Sequence, residues 1–153
     1  MLVVGLGACQ TLVTTPSLSE RLAPLDRALT SKPAELEAAA ASGDGEAQFG
    51  MSLVWGYGLH GYPLDMNKAA EWRAKALSNR RFMPITQYTA AFNGQPSRFD
   101  IINVPIYDLT PAEAIAADAC IAWLSGRTLA ASACGEGTET ARRRSLWADA
   151  SRQ

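Results

Sequence analysis

Residues 43–77, GDGEAQFGMSLVWGYGLHGYPLDMNKAAEWRAKAL, decide how the rest of the chain is read. Between 46 and 57, Ala47, Met51, Val54 and Trp55 fall on one helical face, and Phe49, Leu53 and Tyr57 form a second apolar row at spacing four. A helix apolar on two faces is covered on both. The second half opens at Asp65, a good N-cap, and carries Ala69, Trp72 and Ala76 on one stripe. Lys68, Glu71 and Lys75 lie toward water, and Glu71 with Lys75 is an acid-then-base pair one turn apart. Gly58, Gly61 and Pro63 end one helix and delay the next, so the stretch predicts an antiparallel helical hairpin.

The residues Gly43-Asp44, Ala47-Gln48, Gly58, Gly61, Asp65, Lys68-Ala69, Glu71-Trp72 and Lys75-Ala76 resemble the Sel-one-like repeat, a relative of the tetratricopeptide repeat. The pattern occurs once and covers about a quarter of the chain. Ser52 stands where the family has Gly, Trp55 where it has Tyr and Arg73 where it has an aromatic, and the elbow is one residue longer. The resemblance implies an α/α superhelical unit that serves as a protein-interaction scaffold. One such unit cannot bury its own apolar faces, so the flanking segments are expected to supply its neighbours. The expected fold is therefore all-α, a helical-hairpin repeat with one β-hairpin insertion.

Outward from that core, Ser17-x-x-Glu20 is a capping box, Leu18, Leu22, Leu25 and Leu29 recur at helical spacing, and Pro24 splits the segment into two short pieces. Ser31 and Pro33 start an Ala-rich helix that Gly43 closes. Beyond Leu77 the pattern turns β-prone. Asn93-Gly94 is the strongest short-range turn signal, and 85–92 can pair with 98–104, which puts a β-hairpin at 84–106. Tyr88, Phe92, Phe99, Ile101, Ile102, Val104 and Ile106 need cover, from the helices or from a partner. Thr110-Pro111-Ala112-Glu113 is a capping box with Pro at the first helical position. The helix that follows carries two apolar stripes, one through Ile115, Ala119, Ala122 and Trp123 and one through Ala117, Cys120, Ile121 and Leu124, and is expected to be central. A short Ala-rich helix over 127–134 and a final helix over 138–150, anchored by Leu146, Trp147 and Ala150, complete the set at 110–150.

Composition narrows the classes. The 153 residues, 48% hydrophobic and 19% charged, suit one globular domain, here 17–153. A formal net charge of −1 gives no electrostatic case for nucleic acid. No run approaches eighteen apolar residues. Residues 1–9, MLVVGLGAC, end in Leu6-Gly7-Ala8-Cys9, which resembles a bacterial lipobox. That resemblance implies a lipidated Cys9, 10–16 as a tether, and a site at the periplasmic face of a membrane. The missing basic n-region suggests a true start upstream of Met1; the competing reading is a short apolar strand of a cytoplasmic protein. With Cys9 acylated, Cys120 and Cys134 remain as an even pair. In a helical hairpin turning at Gly126 they lie at similar heights, about 9 Å and 12 Å from the bend at a 1.5 Å rise. They are either a disulfide or two buried thiols.

No chemistry stands out. His60, the only histidine, sits in the elbow without a nearby Cys, Asp or Glu pattern, and Asp65 is a cap, so no catalytic or metal site and no cofactor are expected. Arg142-Arg143-Arg144 with Arg152 read as a solvated face. Trp55, Tyr57, Tyr62 and Trp72 are the candidates for contact with a protein or peptide partner. The expectation is a non-enzymatic, membrane-tethered adaptor. The resemblance also allows a Cys-rich envelope enzyme that binds penicillin or weakly hydrolyses lactams, although no Ser-x-x-Lys run is present. A cytoplasmic regulatory adaptor is the third alternative.

Overall fold

The computed structural model describes residues 15–152. The lipidation candidate Cys9 and most of the expected tether lie outside the described residues. Ser17 accepts from the Glu20 N–H while the Glu20 carboxylate accepts from the Ser17 N–H, and this reciprocal cap starts α1 (Leu18–Arg21). Pro24 occupies the first turn of α2 (Ala23–Thr30). The next helix, α3 (Pro33–Ala41), is preceded by Lys32 with no side-chain cap, so Ser31 does not play the role its type suggests. Asp44 accepts from the Ala47 N–H and starts α4 (Gly45–Tyr57), and Asp65 accepts from Asn67 and Lys68 to start α5 (Met66–Ser78). Between them Gly58 takes a left-handed conformation (φ 62°), which only glycine adopts without cost, and a single 3-10 turn spans Leu59–Gly61.

The helices meet where side chains are small. A Cβ on Gly56 would lie 3.3 Å from that of Ala69 across the α4–α5 contact, and one on Gly50 would lie 3.1 Å from Leu36 Cδ1 and 3.3 Å from Ala28 Cβ. Phe49, Met51, Leu53 and Val54 of α4 are buried and form the centre of one continuous core with Leu22, Leu25, Leu36 and Ile121. Removing such side chains from water supplies roughly 1.5–3 kcal/mol each.

The chain then leaves the helical path. Two strands, β1 (Arg80–Thr89) and β2 (Arg98–Tyr107), pair antiparallel with Ile85 opposite Ile102 and Thr89 opposite Arg98. The Phe92–Gln95 bridge flanks Asn93 (φ 48°) and Gly94 (φ 79°), the two positive-φ residues of a type I′ turn. The chain returns through α6 (Pro111–Leu124), started by the Thr110/Glu113 box, and α7 (Thr138–Ala150). Between α6 and α7 only a 3-10 turn forms, Ala131–Cys134, in place of the expected helix over 127–134.

Two expectations fail here. The fold is mixed, with seven helices and a two-stranded antiparallel sheet among the described residues, 59% helix and 16% strand, and is not an all-α repeat. In a solenoid each unit touches only its sequence neighbours. Here α7 packs on α2, and α6 on α1 and α2, so among the described residues the last helices return to the first ones and form one body with them. In α6, Ala117, Cys120 and Ile121 are buried and Trp123 and Leu124 pack against the core, while Ile115 and Ala119 face out, so one apolar stripe is core and the other is only partly so.

Candidate functional site: an apolar ribbon on a locked helical body

The β-ribbon is the feature that the core does not absorb. Side chains alternate between its faces, and directly opposed residues share one. One face carries Phe82, Pro84, Tyr88, Phe99, Ile101, Pro105 and Tyr107; the other carries Met83, Ile85, Ile102, Val104 and Ile106. The first is open to solvent, and the second is partly so, with Val104 half-buried. Ile101 is 76% exposed, Phe99 74%, and Phe92 at the tip 75%. The Tyr88 and Phe99 rings contact each other across the strands at 5.0 Å, and the Arg80 guanidinium stands 5.6 Å from the Phe82 ring on the same face. The helices therefore do not supply the cover that the sequence pattern demands. Single exposed apolar residues are ordinary, whereas contiguous rows of this kind mark an interaction surface.

The base of the ribbon is fixed. Arg81 donates to Asp108 at 2.9 Å, Asn79 donates to the Gly43 carbonyl, and a Cβ on Gly45 would meet Asp108 Cβ at 2.9 Å. Beside it lies a charged cleft of about 510 Å³ in which Arg27 donates to Asp44 (2.7 Å) and Glu46 (3.3 Å). Burial alone would raise the Asp44 carboxyl, but the Arg27 hydrogen bond, the Ala47 N–H and the Arg27 charge together hold it below the usual carboxylate range.

The four aromatic candidates do not form one surface. Tyr57 lines a groove of about 380 Å³ between α4, α5 and α6, with Gly56 and Ala69 beneath it and Arg127, which donates to the Tyr57 hydroxyl, at its rim. Arg73 and Asp118 close the same groove with a two-pronged ion pair. Trp55 packs edge-on to Tyr62 at 5.1 Å, with Lys68 Nζ 4.0 Å from its ring centre. Tyr62 donates to Glu37 at 3.2 Å; burial, then the Glu37 charge, raise its phenol above the ordinary value. Trp72 rests against the core under Lys75. Each is half-buried and already engaged within the chain. His60, at φ 55°, has Nε2 3.0 Å from the Ala28 carbonyl, an elbow-to-helix contact, and Asp65 is a cap.

Sequence reasoning missed the lock that closes the body. Arg143 is fully buried: Nε and one terminal nitrogen donate to the two Asp26 oxygens, each at 2.8 Å, and the other nitrogen donates to the Cys134 carbonyl at 2.7 Å. Arg142 also donates to Asp26, which raises its own pKa, and Arg144 stacks 5.0 Å over Trp123. The three consecutive arginines thus do three different things, and only part of the cluster is a solvated face. The signal was present: Arg143 shares a stripe with Leu146, Trp147 and Ala150 at i+3, i+4 and i+7. The Cys134 that presents its carbonyl to Arg143 lies at disulfide distance from Cys120, with Cα atoms 4.6 Å apart and both residues buried.

No known protein family, no curated protein and no solved structure matches this chain. The likeness to the Sel-one-like repeat accordingly rests on the α4–α5 residues alone.

Proposed function

We propose that this chain is a non-enzymatic protein-interaction module, exported and held at a membrane through Cys9, whose recognition surface is the β1–β2 ribbon. The observation that carries this reading is the ribbon itself: ten-residue strands with apolar side chains exposed on both faces, anchored to a body closed by Arg143 and by the Cys120–Cys134 pair. An isolated hairpin in water is marginal at best, so exposed rows of Phe, Tyr and Ile gain most from being covered. The buried cysteine pair favours an oxidising compartment, and the lipobox-like Cys9 favours a lipid tether.

The reading is tested by capture from native-host envelope extracts with the tagged chain and with a Phe99→Ser, Ile101→Ser variant. Species retained by the parent chain and lost with the variant are expected; identical profiles would remove the ribbon from the argument. The tether is tested separately. Cys9→Ala is expected to move the protein from the membrane to the soluble fraction, and unchanged fractionation would overturn it.

A further inference from the structure

We propose that the ribbon face bearing Phe82, Pro84, Tyr88, Phe99, Ile101 and Tyr107 is covered by the same face of a second copy, the two ribbons stacking about a two-fold axis at the Pro84–Asn103 level. This deepens the interaction-module reading by naming the partner of that surface, and it rests on that reading.

Three observations select this occupant. The first is area. At roughly 200 Å² per aromatic side chain, the exposed parts of Phe82, Tyr88, Phe99 and Tyr107 amount to about 450 Å². Ile101 and the two prolines carry the face toward the roughly 800 Å² per partner of a standard specific interface. The second is complementarity along the ribbon. Arg80 lies at the base of this face and the Tyr88–Phe99 ring pair near its tip. An antiparallel two-fold places each Arg80 guanidinium across from the ring pair of the other copy, a cation–π arrangement, and the central apolar residues across from one another. Phe82 and Pro105 of one ribbon then stand opposite Thr86 and Ile101 of the other. The third is the backbone. Each strand has a free edge whose N–H and C=O groups hydrocarbon cannot satisfy, which disfavours burial of the ribbon in a bilayer. Face-to-face stacking leaves those edges in water and turns two marginal hairpins into one four-stranded sandwich.

The experiment uses the full chain at 1–100 µM in analytical ultracentrifugation, with Ile101→Arg on the stacking face and Gln87→Arg on the opposite face. The parent chain and Gln87→Arg are expected to sediment at twice the 16.3 kDa chain mass at the upper concentrations, and Ile101→Arg at the single mass throughout. Helical circular dichroism should match in all three, because neither position contributes to the buried core, and the thermal midpoint of Ile101→Arg should differ from the other two only by the concentration-dependent contribution of association. A parent chain that stays monomeric at 100 µM overturns the proposal, as does a dimer that survives Ile101→Arg. Sedimentation of the monomeric parent with phosphatidylcholine/phosphatidylglycerol vesicles, lost in Ile101→Arg, would overturn it in favour of lipid. A monomeric parent that still captures host proteins through Phe99 and Ile101 would refute the second copy while leaving the interaction-module reading standing.

Discussion

Arg143→Ala tests the closure of the fold more sharply than any other substitution. The guanidinium is completely buried and forks onto both oxygens of Asp26, which is only 20% exposed, while its third bond holds the Cys134 carbonyl. Truncation to Ala takes two of its donors from a half-buried carboxylate, leaves a buried carbonyl without its donor, and opens a cavity between α2 and α7. Removing one partner of a buried pair costs about 3–5 kcal/mol. Asp26 keeps Arg142 and some contact with water, which places the expected loss near the low end, about 3 kcal/mol. For a chain of this length that corresponds to a fall of about 6–12 °C in Tm. The assay is urea unfolding followed by far-ultraviolet circular dichroism and tryptophan fluorescence, with Arg143→Met, Asp26→Leu and their combination as a cycle. The double variant should recover at least half of what Arg143→Met loses, because an apolar pair no longer strands a charge. A cost below 1 kcal/mol for Arg143→Ala, or a double variant no better than the worse single one, would refute the claim that this ion pair closes the body.

Reduction of Cys120–Cys134, which closes a loop of fourteen residues, is expected to cost on the order of 3 kcal/mol, read as the difference in urea midpoint with and without reductant. Gly45→Ala should destabilise by about 1–3 kcal/mol, because its Cβ collides with Asp108 Cβ at the foot of the ribbon; equal unfolding midpoints would show that the base is free to shift. Asp44 has a lowered pKa in the fold, so its contribution to stability is present above its unfolded value of 3.8 and is lost as pH falls through the lower folded value. Asp44→Asn should therefore flatten the acid limb of a stability–pH curve below about pH 4 while leaving its shape near neutrality unchanged. An acid limb identical to that of the parent chain would remove Asp44 from the account.

Most of the local structure follows from the order of the residues. Caps at Ser17, Asp65 and Thr110, the break at Pro24, the left-handed Gly58 and the Asn93-Gly94 turn all rest on interactions within about four residues, so they are legible in the order of the residues. The strands run to 80–107 rather than 84–106, a boundary that pairing sets and propensity does not. The long-range choices depend on contacts that exist once the chain has folded. Arg143 looks like its two arginine neighbours until Asp26, 117 positions away, comes to meet it. The helices looked like links in an open stack until α6 and α7 folded back onto α1 and α2 and closed it. The ribbon's apolar rows demanded cover, and whether the helices would provide it was a question of where the body ended in space. Periodicity reports that a face must be buried; only the assembled core shows which partner buries it, and here it leaves one sheet uncovered.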